Sequence, residues 1–343
     1  MTTTAWRTGT PRDPAFEREW NTTLAGAPYA HFALRLDYLD WMHRLGAPQL
    51  AVHVTAGQER GVIAARRERG AWISGLPWRW QGAVACGTRE PEAQLAADEA
   101  ARLVGALSAH AQGARVRAHL PVAPRGAPGF RAGKTLLHRV DVADDALIAA
   151  MDKTKRSMIR RAQREGYAVI EANALEQFRG FARVQRETDA RHGVAALDRD
   201  GDVPAPGERW REWELPWMWL LLAVRDGEVG SGFGFALGQG IVLESRAAAS
   251  TAAALKSGAF VLLAFEAARR ARERGYRYLN WGGDTFFKRD VSGTLARRIE
   301  LHGWLAGGPA WALVNRSESL LHGARASASA LAGALKAWRR SPA

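Results

Sequence analysis

The chain of 343 residues is long enough for about two domains, and its composition excludes several classes of protein. It carries 48 Lys and Arg against 35 Asp and Glu, which gives a formal net charge of +13. Hydrophobic residues make up 47% of the chain, so packed cores are expected and a mainly disordered chain is excluded. Because Cys86 is the only cysteine, an internal disulfide framework and a multi-cysteine metal site are also excluded.

The positive charge favours anionic partners such as RNA, phosphates, coenzyme A or a membrane surface. No run of about 18 uncharged apolar residues occurs, so the sequence predicts no membrane-spanning helix. The first residues, MTTTAWRTGTPRDP, lack the apolar segment of a secretory signal. We therefore expect a cytoplasmic protein, with contact at the inner membrane surface as a further expectation.

The first part of the chain, 1–143, predicts a domain of mixed helices and strands. Apolar spacings of three and four predict helices, and short apolar or alternating runs between turn residues predict strands. The predicted helices are 16–24, 36–45 and 92–111, and the predicted strands are 51–54, 61–66, 116–120 and 135–142.

The second part, 144–315, shows a longer version of the same order. The predicted helices are 144–151, 153–165, 175–191 and 257–274, and the predicted strands are 168–172, 220–225, 229–237, 241–248, 278–281 and 299–305. We therefore predict an α+β fold of two similar domains. An amphipathic helix is predicted in 316–343, and it would pack on its own domain, dimerise or lie on an anionic membrane.

The densest basic segment lies on the predicted helix 153–165. Lys153, Arg156 and Arg160 follow the spacing i, i+3, i+7 and so share one face of this helix. Such a stripe binds phosphate groups through charge-assisted hydrogen bonds. The alternative is a solvated helix face without a ligand.

A second feature is the start of the predicted long helix at Ser257 and Gly258. A helix start with small residues presents free N–H groups and the positive end of the helix dipole, both of which favour phosphate. The alternative is an ordinary helix start capped by Ser257.

A third feature is the segment in which a strand runs into Gly282 and Gly283. Glycines allow the backbone to approach a ligand closely. Phe287 and Lys288 follow. An aromatic side chain next to a lysine suits a donor substrate that contains a ring and on which charge develops beside that ring. The alternative is a glycine turn with a core Phe pair.

These three features, in this order, resemble the FemAB family over about residues 145–305. The residues that carry the resemblance are Lys153, Arg156, Ile159, Arg160, Ala162, Gly258, Arg274, Gly275, Tyr276, Gly282, Gly283, Phe287, Lys288 and Gly293. The resemblance implies two tandem domains of the acetyltransferase (GNAT) type, bounded at 1–143 and 144–315. It also implies transfer of an aminoacyl group from charged tRNA to an amine, whereas relatives of the fold use acyl-CoA.

The resemblance implies that Lys288 stabilises the oxyanion of a tetrahedral intermediate and that Phe287 stacks on the terminal adenosine of the donor. An amine must attack in its neutral form, so a base is needed. Glu244 and Asp284 are the candidates, and the alternative for both is an ion pair with Arg246 or Lys288. The remaining residues expected to bind the donor are Ser257, Gly258, Gly282, Gly283, Lys153, Arg156 and Arg160.

The acceptor is expected to contact Trp78, Arg79, Trp80 and Arg246. Family members that act on peptidoglycan bind a nucleotide-linked peptide through the first domain with charged groups. Here the segment 74–82 carries Arg79 as its one charge, which indicates a flatter or more apolar acceptor. The acceptor class stays open among peptidoglycan precursors, polysaccharides and amine metabolites.

The sequence therefore predicts an N-acyltransferase that uses aminoacyl-tRNA or acyl-CoA as co-substrate, with aminoacyl-tRNA slightly favoured. No metal is expected, since the histidines show no metal-ligand spacing. No tightly bound cofactor and no DNA partner are expected either. The alternatives are an acyl-CoA-dependent GNAT N-acetyltransferase and a non-catalytic scaffold that binds RNA or an envelope component.

Overall fold

A computed structural model describes residues 1–68, 70–75, 83–85, 95–125, 129–192 and 213–307. The strands in these ranges are β1 Thr2–Arg7, β2 Gln49–Ala56, β3 Glu59–Glu68, β4 Ala71–Ser74, β5 Ala83–Ala85, β6 Arg115–Leu120, β7 Gly129–Arg139, β8 Ala168–Glu171, β9 Met218–Arg225, β10 Glu228–Ala236, β11 Val242–Ser250, β12 Tyr278–Gly283 and β13 Ala296–Ala306. The helices are α1 Pro14–Ala25, α2 Leu36–Arg44, α3 Ala97–His110, α4 Asp144–Ala150, α5 Lys153–Arg164, α6 Leu175–Arg191, α7 Ala252–Ser257, α8 Ala259–Glu273 and α9 Phe286–Ser292.

All of these strands belong to one sheet. Its order is β1-β2-β3-β4-β6-β13-β7-β12-β11-β10-β9-β8, and β5 pairs with β3. The pairs β4/β6 and β11/β12 are parallel, and the other pairs are antiparallel. Since α3 connects the first parallel pair and α7 with α8 connect the second, each half contains one helical crossover. The predicted α+β class is confirmed.

The strand that comes last along the described chain, β13, lies in the middle of the sheet between β6 and β7 and is antiparallel to both. β7, from the predicted domain 1–143, in turn pairs with β12 from the predicted domain 144–315. The strands of the two predicted domains therefore interleave at the centre of the sheet. The boundary at residues 143 and 144 stays a prediction, and the helix predicted in 316–343 lies outside the described residues.

Three hydrophobic clusters fill the two faces of the sheet. The largest joins both halves, because side chains of α1, α2 and α6 belong to it. A second cluster lies under α5 and α8 in the second half, and a third lies under α3 in the first half. Of the helices in the described part of the chain, none has the length and apolar character needed to cross a bilayer.

A short backbone contact ties the first half to the start of β11. The N–H of Ile241 donates to the carbonyl of Pro28 at 2.7 Å. A Cβ on Gly240 would lie 2.2 Å from the Pro28 oxygen, so this close approach requires glycine. The contact brings the residues that follow Pro28 against the second half.

The structure adds elements that the sequence analysis did not predict and divides one predicted helix. The strands β1, β4 and β5 and the helix α9 are additional elements. The helix predicted from Ser257 begins earlier, at Ala252, and is interrupted at Gly258, whose φ of +85° ends α7 before α8 begins. A left-handed residue cannot continue an α-helix, so one predicted helix becomes two.

Gly293, which follows α9, lies against the residue that ends α4. Its φ is +51°, and a Cβ would lie 1.6 Å from the carbonyl oxygen of Ala150. We expect Gly293→Ala to lower the free energy of unfolding by about 3 kcal/mol or more, through overlap and backbone strain together. Gly275→Ala is the control, since its φ is +85° and nothing lies within 4 Å. That control should lose about 1 kcal/mol, measured by urea denaturation, and equal losses would contradict the role of the Ala150 contact.

His138 on β7 is completely buried, and its ring stacks on Trp281 with centroids 6.1 Å apart. Neither ring nitrogen has a hydrogen-bond partner among the described residues. Burial lowers the pKa of His138 from 6.5 to about 3, because the charged form cannot be solvated there. The folded protein therefore holds this imidazole neutral.

This neutral histidine makes folding stability pH-dependent. The unfolded chain binds the proton below about pH 6.5 and the folded chain only near pH 3, so stability is full above 6.5 and falls as the pH drops towards 3. The expected loss from this one group between pH 7 and pH 5 is about 2 kcal/mol. We expect His138→Phe to remove this part of the pH dependence in urea denaturation, whereas the exposed control His192→Phe should retain it. Parallel pH profiles for wild type and His138→Phe would refute the assignment.

Candidate functional site

The parallel strands β11 and β12 separate in the middle of the second half. They pair at Val242 with Tyr278, at Leu243 with Leu279 and at Glu244 with Asn280. Beyond this last pair β11 continues against β10, while β12 continues against β7. Backbone N–H and C=O groups of the two strands no longer bond each other there, so the gap between them offers hydrogen bonds to a ligand.

Glu244 occupies the last paired position and is fully buried. The side-chain amide of Asn280 donates to its Oε1 at 3.1 Å. His31 Nε2 lies 3.1 Å from the same oxygen but without hydrogen-bond geometry, so this buried nitrogen has no hydrogen-bond partner among the described residues. Oε2 of Glu244 has no hydrogen-bond partner among the described residues. A buried carboxylate with one unpartnered oxygen is unusual, because leaving a buried acceptor unsatisfied costs about 1–3 kcal/mol.

His31 comes from the first half, directly before a short 3-10 turn, Phe32–Leu34. Its Nδ1 accepts the backbone N–H of Ala33 at 3.0 Å. Since Nδ1 acts as the acceptor, the neutral ring carries its proton on Nε2, next to Glu244. The contact of Pro28 with Ile241, three residues earlier in the chain, explains why this loop reaches β11.

Asn280 connects Glu244 to the glycine end of β12. Its Oδ1 accepts the N–H of Gly282 at 2.8 Å and the hydroxyl of Thr135, on β7, at 2.6 Å. Gly282 has a φ of +73°, and the strand register shifts between Asn280 and Gly283. The Asn280 side chain thus provides a hydrogen bond at this β-bulge, where the regular backbone pairing of the strand is interrupted.

Lys288 lies on α9, partly buried, with its ammonium at the end of β12. Its Nζ donates to the carbonyl of Gly283 at 2.8 Å. The predicted candidates Glu244 and Lys288 are therefore connected through one strand end, by way of Asn280, Gly282 and Gly283. Their predicted catalytic roles stay predictions.

Asp284, the other candidate base, is an anchor for two arginines. Its oxygens lie 3.0 Å from Arg289 Nε and 2.7 Å from Arg298 Nε, and its side chain is 10% exposed. The ion pair considered from the sequence was with Arg246 or Lys288, and the structure gives different partners. Both oxygens of Asp284 are taken up by ion pairs, whereas Oε2 of Glu244 has no partner among the described residues, so this geometry favours Glu244 over Asp284.

The two phenylalanines that begin α9 have different environments. The ring centroid of Phe287 lies 5.3 Å from that of Phe260, and Lys155 Nζ lies 5.3 Å from the Phe287 centroid. Phe286 is 79% exposed, with the Arg289 guanidinium 4.6 Å from its ring centroid. Neighbouring residues on a helix point about 100° apart, so the partly buried Phe287 packs against the core while Phe286 lies in solvent.

The basic stripe lies on α5 as predicted. Asp152 caps this helix by accepting the N–H of Thr154, and Ile159 and Ala162 bury its other face. Lys153 and Arg160 are exposed and Arg156 is half-buried. None of these three cations forms an ion pair within the described ranges, so the stripe keeps its charge available for an anion.

Ser257 and Gly258 lie at the junction of α7 and α8 rather than at an open helix start. The Ser257 hydroxyl donates to the Ala254 carbonyl at 2.8 Å. A Cβ on Gly258 would lie 2.6 Å from the Met158 carbonyl oxygen of α5, so α5 covers this junction. The helix that directly follows β11 is α7, where Ala252 N–H donates to the carboxylate of Glu187 at 3.1 Å. Binding of a donor phosphate by Ser257 and Gly258 stays a prediction.

Arg246 is half-buried on β11, with its guanidinium 5.4 Å from the ring centroid of Phe32, the residue after His31. Of the residues expected at the acceptor, it alone is described, because Trp78, Arg79 and Trp80 lie outside the described residues. No group of three or more His, Cys, Asp and Glu suited to a metal ion occurs in the part of the chain that the structure describes.

Sequence reasoning missed His31, Thr135, Asn280 and Phe286. Asn280 had a usable signal, since a polar residue inside the apolar strand Tyr278–Gly283 indicates a buried network. His31 had no such signal, because its partner Glu244 is distant in the chain and nothing local marks the loop that joins them.

The described part of the chain has an α+β fold of the FemX-like type. No family model and no curated protein matches the chain. Among solved structures, FemX is similar with a TM-score of 0.61 and 12% identity, over 92% of this chain and 100% of that one.

Two further solved structures share the architecture. The C-terminal domain of a protein described as a lysylphosphatidylglycerol synthetase, from Agrobacterium fabrum, has a TM-score of 0.54 and 14% identity over 89% of this chain and 95% of that one. A conserved protein of unknown function from Bacteroides thetaiotaomicron has a TM-score of 0.50 and 12% identity, over 85% and 97%. At these identities the similarity establishes the fold.

The Asn280 network generates a stability prediction. Asn280→Ala would remove the side-chain hydrogen bonds of two buried groups, Glu244 Oε1 and the Gly282 N–H, while the Thr135 hydroxyl would keep only the Gly282 carbonyl, at 3.1 Å. We expect the free energy of unfolding to fall by about 2–4 kcal/mol. Asn173→Ala, at an exposed turn, is the matched control and should change it by less than about 0.5 kcal/mol. Equal midpoints in urea denaturation for the two variants would show that the network carries no stability.

Proposed function

We propose that the protein is an N-acyltransferase that moves an acyl or aminoacyl group from an activated ester or thioester to an amine. The observation that carries the proposal is the separation of β11 and β12 directly after Glu244 and Asn280, with the Lys288 ammonium held at the end of β12. This arrangement places the point where the two parallel strands separate, a cation and a buried carboxylate on one strand pair. The similarity of fold to FemX supports the same class.

The chemistry assigned to these groups is acyl transfer to nitrogen. The amine nitrogen attacks the donor carbonyl carbon, a C–N bond forms and the carbonyl oxygen becomes an oxyanion. Lys288 would stabilise that oxyanion, since the carbonyl of Gly283 holds its ammonium at the end of β12. The C–O or C–S bond then breaks, and the proton lost by the amine balances the charge of the leaving group.

For the donor we favour aminoacyl-tRNA, with acyl-CoA as the alternative. The support is the stripe of Lys153, Arg156 and Arg160 on α5, which is unpaired within the described residues and suits a polyanion. Binding of charged tRNA should then weaken steeply as salt rises, whereas negligible binding at low salt together with tight acyl-CoA binding would favour the alternative.

For the acceptor we propose an amine on a peptidoglycan precursor, a polysaccharide or a small metabolite. Arg246 supports an acceptor that carries a negative or polar group near the amine, because it lies on β11 two residues beyond Glu244. Contact with a membrane surface is a further proposal that rests on the net positive charge of the chain.

The test is transfer by wild type and Lys288→Ala, followed by mass spectrometry of amines incubated with acyl-CoA and with charged tRNA pools. Loss of one oxyanion donor should lower kcat by about 10²–10³-fold without loss of folding. Lys256→Ala, at an exposed position on α7, is the control and should keep the wild-type rate.

Two outcomes would contradict the proposal. Transfer at the wild-type rate by Lys288→Ala would remove Lys288 from the reaction. Binding of RNA or of an anionic envelope component without turnover, in wild type as well as in the variant, would support the scaffold alternative.

A further inference from the structure

Phe286, the first residue of α9, leaves its ring in water. It is 79% exposed, and it is the only aromatic residue among the exposed large hydrophobic residues of the described ranges. The others are Met1, Ile148, Leu175 and Leu255, and the last three are exposed by only 36–39%. A single apolar side chain at the surface is ordinary by itself, so the surroundings of the ring decide what it can bind.

A cation lies beside this ring. The Arg289 guanidinium is 4.6 Å from the ring centroid of Phe286, three residues further on the same side of α9. Arg289 Nε in turn lies 3.0 Å from Oδ1 of Asp284, as an ion pair without hydrogen-bond geometry. The ring and the guanidinium therefore form a flat apolar surface with a positive charge at its side. This combination suits an unpaired nucleobase, which stacks, together with its anionic phosphate.

Consecutive residues of α9 connect this surface with the candidate site. Lys288 Nζ donates to the carbonyl of Gly283 at the end of β12, and Phe287 packs against Phe260. Phe286 lies in solvent. Since successive residues of a helix point about 100° apart, these three side chains lead from the strand end to the outer surface within one turn. A single strand whose end is held at Lys288 would pass Phe286 as it leaves the site.

The basic stripe of α5 begins next to α9. The N–H of Asp152, which caps α5, donates to the carbonyl of Asp290 at 3.0 Å. Lys155 Nζ lies 3.6 Å from Oδ2 of the same aspartate. Lys153 directly follows the cap and is exposed, and from there the stripe extends about 10 Å along the helix to Arg160. The start of α9 and the cations of α5 therefore belong to neighbouring parts of one surface.

We propose that Phe286 and Arg289 form a platform for an unpaired base of the RNA donor, namely the base that precedes the terminal adenosine expected at Phe287. The inference rests on the proposed aminoacyl-tRNA donor and names where its single-stranded end binds. The base stacks on the Phe286 ring, Arg289 binds a phosphate beside it, and the strand continues onto Lys153. Stacking uses the π face that every base has, so the platform tolerates any base.

An anionic bilayer is the other partner that an exposed ring among cations suits. Helices that lie on membranes present a broad apolar face made by several large residues. On α9 the exposure of large apolar side chains is confined to Phe286, because Val291 is buried and Phe287 is partly buried against the core. One ring beside one guanidinium matches a single base rather than a lipid layer.

The first test is binding of a short single-stranded RNA oligonucleotide, measured by fluorescence anisotropy. Phe286→Leu keeps an apolar side chain but removes the aromatic face, so we expect affinity to fall about tenfold. Phe286→Trp keeps that face and should bind at least as tightly as wild type. Leu175→Ala, at an exposed apolar position on α6, is the control and should bind like wild type. All three variants should keep the urea midpoint, because both positions are exposed.

Salt and duplex RNA separate stacking from attraction between charges. Phe286→Leu should lower affinity by the same factor at every salt concentration, whereas Lys153→Ala should reduce the slope of log affinity against log salt by about 0.7. A blunt RNA duplex offers no unpaired base, so Phe286→Leu should bind it like wild type. Equal binding of the single strand by wild type and Phe286→Leu, or no binding by either protein, would overturn the proposal.

Two further assays distinguish this inference from its alternatives. If Phe286→Leu loses binding to phosphatidylglycerol vesicles but keeps oligonucleotide binding, the ring is a membrane contact and the inference fails. If wild type transfers from charged tRNA and Phe286→Leu does so with an unchanged KM for the tRNA, the inference fails and the acyltransferase stands. If Phe286→Leu weakens oligonucleotide binding as expected and wild type transfers no group, the acyltransferase fails and the platform stands.

Discussion

A carboxylate withdrawn from water has to be satisfied by donors, and the arrangement around Glu244 follows from that requirement. The Asn280 amide donates to one of its oxygens, and His31 Nε2 lies 3.1 Å from that same oxygen. Asn280 can serve it because its own oxygen is held by Thr135 and by the N–H of Gly282. The bulge at the end of β12, the approach of Lys288 and the opening between the parallel strands all depend on this set of bonds.

The same requirement makes the site a product of both halves of the chain. His31 reaches β11 because the backbone near Pro28 bonds to Ile241 and because Gly240 has no side chain to prevent the approach. The largest hydrophobic cluster also crosses between the halves, under α1, α2 and α6. The site therefore depends on packing between both halves of the chain. The close-packed core that the halves share keeps the side chains of the site in place.

Patterns of neighbouring residues in the sequence predicted the helices and strands that depend on short-range interactions. The helix at 175–191, the basic helix from Lys153, the three-strand meander and the strand into Gly282 follow from periodicity, caps and turn residues. Glu244, a carboxylate that follows two apolar residues at the start of β11, could be selected in the same way. A contact between residues that are distant in the chain leaves no pattern in the sequence around either residue. The position of β13, the contact of His31 with Glu244 and the pairing of Asp284 with two arginines could therefore not be predicted.

The position of β13 has a consequence for how the chain acquires its shape during synthesis. The strand that separates β6 from β7 ends at Ala306, so the middle of the sheet is incomplete until translation has passed that residue. Until then the nascent polypeptide exposes two unprotected edges, each a template for wrong pairing with another molecule. Synthesis of β13 thus closes both edges at once, and a product that stopped before this strand would keep them exposed.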